Sequence, residues 1–188
     1  MVSGGDLAAR KARVYWCQYR GGKWGAVRPA DDAGSPGESQ PFVPYDGDGV
    51  ATLAWLKGTD NLAAPQNRRI AFRRLDGASG VVSPAAMPGG VYEFSLAARG
   101  TILNFAYTLI QSSDQANSTA YTGSALIGDR KYLYAGSWDG SAWAQRRLRD
   151  QYGRSIKAES PSIAMTKDTN GNISFRQIGF GATPAGAF

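Results

Sequence analysis

The stretch KYLYAGSWDGSAWAQRRLR, from Lys131 to Arg149, decides the fold. Its first half alternates aromatic and small residues with a period of two, which is typical of a strand that has one buried face. Asp139-Gly140 supplies a turn signal, and Trp143 opens a second short strand. The stretch therefore predicts a β-hairpin.

The same hairpin pattern occurs twice more in the chain. RVYWCQYRGGKWGAVR, from Arg13 to Arg28, has a strand, a Gly21-Gly22 turn and Trp24 two residues later. A weaker copy, RIAFRRLDGASGVVS from Arg69 to Ser83, keeps an Asp-Gly turn but lacks the tryptophan. Three hairpins of this spacing indicate an internal repeat of about 55 to 65 residues.

The segments between the hairpins also alternate over short runs, and almost no helical period is present. Strand-turn-strand pairs are predicted at 41–56, 91–110 and 160–180, and polar loops at 30–40, 57–67 and 111–123. The two prolines of PFVPY, residues 41–45, confine that strand to a sheet edge or a strand end. The chain is therefore predicted to be all-β.

A strand pair and a hairpin together make a four-stranded unit, and tandem units of this kind are typical of a β-propeller. We expect a single all-β domain over residues 1–188, composed of a half blade at 11–29, blades at 40–84 and 90–150, and a half blade at 159–180. About three blades are fewer than the four at which rings close. A homo-oligomeric ring, a piece of a longer protein and a wrong repeat count all remain open, and we favour the oligomer. The alternative fold is an antiparallel β-sandwich or jelly roll.

Composition excludes several kinds of chemistry. The chain has no histidine, so Ser-His-Asp and Cys-His catalysis and the usual zinc sites lack a required residue. Cys17 is the single cysteine and cannot form an intrachain disulfide; we interpret it as a small strand residue. We expect no catalytic residue, no bound metal and no cofactor.

The net charge of +6 permits weak attraction to anionic partners. Arginines cluster at 68–69, 73–74 and 146–149, but no nucleic-acid-binding motif accompanies them, so we interpret them as solvated strand edges. No run of about 18 apolar residues predicts a membrane span. The first residues lack the apolar segment of a secretory signal, which leaves the location open between the cytoplasm and export.

The third unit resembles blades of sialidase-like and lectin propellers. The resemblance covers about half of the chain, and its matching residues are Trp138-Asp139-Gly140, Trp143, Ser160 to Ala164 and Asn170 to Ile173. In the propeller lectins, shallow sites between neighbouring blades hold a monosaccharide. An aromatic ring packs on its apolar face, and Arg, Glu or backbone groups hydrogen-bond its hydroxyls.

The resemblance therefore implies a non-catalytic carbohydrate-binding site whose partner is a glycan or monosaccharide. A sugar requires both an aromatic surface and polar groups at its edge. An arginine and a glutamate at the spacing of the fucose-binding lectins are not found, so a fucose site is not implied. Each tryptophan could instead fill space between blades. The candidate ligand-binding residues are Trp24 and Trp143 at equivalent hairpin positions, Trp16 and Trp138 on the preceding strands, and Arg20, Asp139 and Arg146 nearby.

Two other functions stay open. A sialidase-like glycosidase would need an arginine triad, a tyrosine nucleophile and an acidic Asp, which the sequence does not locate, and Ser137 to Trp143 differs in length from the Asp-box of that family. A structural or surface interaction protein without a small-molecule ligand would also suit the long polar loops. The runs DGDG (46–49) and DTNGN (168–172) lack the terminal acidic ligand of a calcium loop and are interpreted as turns.

Overall fold

The computed structural model describes residues 13–32, 37–58, 68–76, 80–87, 90–110, 131–167 and 173–182. All regular structure in these ranges is β-strand, which confirms the predicted all-β class. The strands, in chain order, are β1 (Tyr15–Trp16), β2 (Tyr19–Arg20), β3 (Lys23–Trp24), β4 (Arg28–Pro29), β5 (Glu38–Phe42), β6 (Thr52–Lys57), β7 (Arg69–Arg74), β8 (Val91–Arg99), β9 (Ile102–Ile110), β10 (Lys131–Trp138), β11 (Trp143–Arg147), β12 (Ala158–Lys167) and β13 (Ile173–Ala182).

The first four strands form one interrupted hairpin. β2 and β3 pair Tyr19 with Trp24 across Gly21 and Gly22, whose φ angles are 56° and 81°. Two successive positive φ values at a two-residue turn match the type I′ turn that suits a twisted hairpin, and glycine adopts them without strain. β1 and β4 continue the same ribbon by pairing Trp16 with Arg28. The predicted Gly-Gly hairpin is confirmed.

The second sheet has the order β5-β6-β7. Every residue of β6 from Leu53 to Leu56 is buried, because both faces of the sheet are covered. Leu53 and Trp55 belong to a small cluster under the first hairpin, whereas Ala54 and Leu56 belong to the larger core beneath the next sheet. β6 is therefore the strand that joins the first hairpin to the rest of the protein.

The edge strand of this sheet begins earlier than its sequence predicted. β5 starts at Glu38, inside the region predicted as a polar loop, and Glu38 is buried because its Oε2 accepts a hydrogen bond from the Val14 backbone N–H at 2.8 Å. Pro41 lies in a register shift between Ser39 and Phe42, and Gln40 has a φ of 50° there. The expected placement of this proline-containing strand at a sheet edge is confirmed.

The third sheet is a four-stranded meander with the order β8-β9-β10-β11. It corresponds to the strands predicted at 91–110 and to the hairpin from Lys131 to Arg149. One face buries Phe105, Tyr107 and Leu109 in the larger core, against residues of β6 and β7. β12 and β13 form a separate antiparallel ladder.

The ladder is attached to the meander mainly through β8. The Ile163 backbone N–H donates to Ser95 Oγ at 3.2 Å, and the Ser160 backbone N–H donates to Glu93 Oε2 at 2.6 Å. The buried ammonium of Lys131 lies 3.0 Å from Glu159 Oε1 and 3.6 Å from Glu93 Oε1. This ion-pair network joins β8, β10 and β12.

The sheets thus stack in chain order, with the hairpin on β5-β7, β5-β7 on the meander and the meander on the β12-β13 ladder. None of the sheets in the described ranges is closed. The described residues include no helix of sufficient length and apolarity to span a membrane.

Candidate functional site

A hollow of about 530 Å³ opens between the first hairpin and the turns that flank β6 and β7. The hairpin supplies one wall and the segments around residues 43–51 and 75–76 supply the other. Its lining residues are Trp16, Cys17, Gln18, Tyr19, Arg20, Trp24, Val43, Tyr45, Gly49, Val50, Ala51, Leu75 and Asp76.

Three aromatic rings of this hollow face solvent. Trp24 and Tyr45 each expose 70% of their surface and Tyr19 exposes 59%. The Tyr19 and Trp24 ring centroids lie 5.2 Å apart with the planes tilted by 57°. Because the type I′ turn sets these two residues opposite each other, the hairpin itself fixes the pair. The hollow therefore has an aromatic wall before any partner binds.

The opposite wall is held by an aspartate turn. Asp46 Oδ1 accepts hydrogen bonds from the backbone N–H groups of Asp48 and Val50, at 2.9 and 2.8 Å. Asp46 Oδ2 lies 3.1 Å from Arg74 Nη2. These contacts fix the turn that follows Tyr45, and they confirm the interpretation of the DGDG run as turn chemistry.

Trp16 lines both this hollow and a second one. Its ring packs against the cluster of Leu53 and Trp55, and the Arg28 guanidinium lies 5.8 Å from the ring centroid. Its buried Nε1 has no hydrogen-bond partner among the described residues. A buried donor without a partner is unfavourable.

The second hollow, of about 360 Å³, adjoins the first along the hairpin and is lined mainly by charged side chains. Arg73 Nη2 pairs with Asp32 at 2.8 Å, and Arg74 pairs with both Asp46 and Asp76. We refer to it as the arginine cleft. Its lining residues are Trp16, Gln18, Arg20, Arg28, Asp32, Arg73, Arg74, Leu75 and Asp76.

The structure divides the seven predicted ligand-binding residues between two places. Trp16, Arg20 and Trp24 line the aromatic hollow together. Trp138, Asp139, Trp143 and Arg146 lie on the β10-β11 hairpin and line no part of it. The sequence equivalence of Trp24 and Trp143 therefore does not extend to their surroundings.

On the third hairpin the two tryptophans pack against the larger core. The Trp138 ring lies 5.8 Å from that of Phe72, and the Trp143 ring lies 5.3 Å from that of Phe105. Trp143 also lies 6.2 Å from the Tyr107 ring, and its buried Nε1 has no partner in the described part of the chain.

Asp139 forms the turn of the third hairpin. Its Oδ1 accepts from the backbone N–H groups of Ala142 and Ser141, at 2.7 and 2.9 Å, and from the Ser141 hydroxyl. These bonds, led by the one from Ala142, lower the pKa of the Asp139 carboxyl below its ordinary value of 3.8. Arg146 is exposed and lines a separate concavity together with Asn104 and Gln145.

Among the described tyrosines, Tyr107 has a raised pKa. Burial, followed by the charge of Tyr134, raises the pKa of the Tyr107 hydroxyl. The hydroxyl donates to Gln145 Oε1. A raised pKa opposes formation of the phenolate that a tyrosine nucleophile would need.

Sequence reasoning did not select Tyr19, Tyr45, Gln18, Leu75 or Asp76 as site residues. The one available signal for Tyr45 is an aromatic residue directly before an Asp-Gly turn on a proline-confined edge strand. Such a ring follows a strand end and precedes a surface turn, so exposure was a reasonable expectation.

In the described ranges no three His, Cys, Asp or Glu side chains are grouped so that they could hold a metal ion. Comparison of the chain with protein-family models, with curated proteins and with solved structures found no match.

Proposed function

We propose that this protein is a non-catalytic, lectin-like carbohydrate-binding module and that the aromatic hollow is its sugar site. The observation that supports this best is the exposure of Tyr19, Trp24 and Tyr45 around one concavity. Burying an aromatic ring is strongly favourable, so three exposed rings around one hollow suggest a surface that a partner covers.

The chemistry of the lining matches the two surfaces of a sugar. The pyranose face is apolar and packs on an indole or phenol ring, and the hydroxyl edge needs donors and acceptors. Arg20 is a donor, Asp76 is an acceptor, and Gln18 supplies both. The residues that would stack a sugar and those that would bind its hydroxyls thus line the same hollow.

The hollow suits binding better than hydrolysis. Among the described residues that line it, Asp76 is the one carboxylate, and it lies 3.3 Å from Arg74 Nε. Glycoside hydrolysis commonly requires a pair of carboxyl groups with different acidities. We therefore retain the non-enzymatic proposal and place the glycosidase behind it.

Propeller-like blades and assembly into a homo-oligomer form part of the proposal. The β8-β11 meander has the strand number of a blade. It shares one core with the β5-β7 sheet, which shares a smaller cluster with the first hairpin. β5 and β11 are sheet edges that a second copy could cover. Light scattering during size-exclusion chromatography tests this assembly. A ring closed between copies requires a molar mass of at least twice the 20.0 kDa of one chain. A monomer would favour the sandwich alternative.

The sugar site is tested by screening the protein on a glycan array and titrating the best ligand into variants. Trp24→Ala and Tyr45→Ala should each weaken binding at least about tenfold, since each removes one stacking surface. Tyr152→Ala is the matched control, because Tyr152 is 72% exposed and lines neither hollow.

Alkylation of Cys17 tests whether the glycan binds in the aromatic hollow. Cys17 is exposed, lines the hollow and is the single cysteine of the chain. A bound glycan should slow its alkylation by a maleimide, and an equal concentration should not protect it in Trp24→Ala. The site assignment is wrong if no glycan binds. It is also wrong if a bound glycan does not slow the alkylation of Cys17 and Trp24→Ala binds the glycan as tightly as the wild type. Either result would favour the structural or surface interaction function.

A further inference from the structure

We propose that the preferred ligand of the aromatic hollow is an acidic glycan, whose carboxylate is bound by Arg20 and Arg28 at the border with the arginine cleft. This inference rests on the proposed function and adds the charge class of the sugar. It follows from the geometry that the two hollows share and from the way the arginines of the cleft are paired.

The aromatic hollow and the arginine cleft share five lining residues. Trp16, Gln18 and Arg20 on the hairpin line both, and so do Leu75 and Asp76 on the opposite wall. A sugar stacked in the first hollow would therefore lie beside residues that also line the second, Arg20 among them.

The cleft contains more positive than negative charge, and its ion pairs are unevenly distributed. Arg73 pairs with Asp32, and Arg74 pairs with Asp46 and Asp76. In contrast, neither Arg20 nor Arg28 is ion-paired with a carboxylate in the described ranges, and Arg28 instead lies over the Trp16 ring. Arg20 and Arg28 are thus the arginines of the cleft whose positive charge is not neutralised by a carboxylate of the described residues.

A guanidinium has a planar fork of N–H donors that matches a carboxylate, and such charge-assisted bonds are stronger than neutral ones. Arg20 directly follows Tyr19, and Arg28 pairs with Trp16 across the hairpin. A ring with an attached carboxylate, as in a uronic acid, would place its apolar face on the aromatic wall and its charge at these arginines.

A nucleic acid could also use aromatic rings and arginines, since bases stack and phosphates attract cations. Two observations favour the sugar. The Tyr19 and Trp24 rings are tilted in one concavity and do not form a row along a strand path. In addition, Asp32 pairs with Arg73 and Asp76 pairs with Arg74, which reduces the positive charge available to a run of successive phosphates. The two carboxylates can still accept hydrogen bonds from sugar hydroxyls.

The test compares glycans that differ only in charge. Oligosaccharides of galacturonic, glucuronic and mannuronic acid are titrated beside their methyl esters, in which the ring is kept and the carboxylate is neutralised. We expect at least one acid to bind about tenfold or more tightly than its ester, and the difference to shrink with added salt.

The variants Arg20→Gln and Arg28→Gln should each weaken binding of the acid more than binding of its ester, so that most of this preference is lost. Arg69→Gln is the charge-matched control: Arg69 is exposed on β7, lines neither hollow and should leave the preference unchanged.

Each other outcome has a defined meaning. Equal binding of acid and ester in every pair overturns the acidic preference but leaves a neutral sugar site intact. Equal or tighter binding of polyacrylate, which has charge without sugar rings, also overturns it. Tighter binding of single-stranded DNA than of any acidic glycan replaces it with a nucleic acid. If neither these glycans nor a neutral glycan array gives binding, the proposed function itself fails.

Discussion

The Trp143 indole lies against the backbone of Gly136, so closely that a β-carbon at position 136 would stand 2.5 Å from both Cζ2 and Cη2 of the ring. The two residues are diagonal neighbours on β10 and β11, because Gly136 pairs with Gln145 and Trp138 pairs with Trp143. The glycine provides the space that lets the indole reach Phe105 and Tyr107. The third hairpin thus uses its second tryptophan for packing.

Gly136→Ala should therefore destabilise the protein. The added methyl group must displace the indole, and such overpacking lowers the free energy of unfolding by about 1–3 kcal/mol. Denaturant unfolding measures this. Gly179→Ala is the control, since Gly179 is also a strand glycine but has no atom within 4 Å of its added β-carbon. Equal stability of the two variants would show that Trp143 does not occupy this position.

Trp24→Ala and Trp143→Ala should have different effects on stability although their local sequences are similar. Trp24 is 70% exposed, so its removal should change the free energy of unfolding by less than about 1 kcal/mol. Trp143 packs on the larger core, so its removal should cost about 3 kcal/mol. Urea unfolding of both variants decides this. Similar large losses would move Trp24 into the core and remove it from the sugar site.

Glu38 holds the first hairpin on the second sheet. Its buried Oε2 accepts from the Val14 backbone N–H, so Glu38→Ala leaves that buried donor without a partner and should lower the free energy of unfolding by about 1–3 kcal/mol. The Val14 amide should also exchange its hydrogen faster. Glu38→Gln keeps an acceptor oxygen and should recover much of the loss. Unchanged exchange at Val14 in the alanine variant would contradict this contact.

The Asp139 turn should make the hairpin sensitive to acid. The pKa of this carboxyl is lowered in the folded protein, so its contribution to stability is present above the ordinary value of 3.8 and is lost as the pH falls through the folded pKa. The difference in melting temperature between the wild type and Asp139→Asn should therefore be larger near about pH 7 than near about pH 2. A difference that does not depend on pH would mean that the ionised carboxylate contributes nothing.

Much of the fold could be predicted from the sequence because the strands alternate strongly and their turns have specific residues. Gly21-Gly22 and the Asp46 turn are local signals, and the structure places turns at both. Glu38 was predicted as part of a loop because a carboxylate among Gly, Ser and Pro looks solvated. Its burial depends on Val14, which is 24 residues away and has no local signature.

The candidate site was predictable only in part for the same reason. Trp24 and Trp143 each follow a glycine-containing turn, and their local sequences do not distinguish them. What separates them is tertiary: among the described strands β3 pairs with β2 alone, whereas β11 continues a four-stranded sheet whose face lies on the core. Tyr45 joins Trp24 only after the hairpin has docked on β6.

Gln40 and Ser160 share an unusual backbone feature. Each has a left-handed φ, 50° and 48°, each precedes a proline at a register shift, and each contacts the beginning of β8. The contact of Gln40 spans 52 positions of the chain, and the contact of Ser160 spans 67. During synthesis, β8 would leave the ribosome with its earlier partner already made and its later one not yet translated. Because contacts between distant residues slow folding, the docking of β12 on β8 should come late, and until then this flank of the nascent sheet would be open to chaperones.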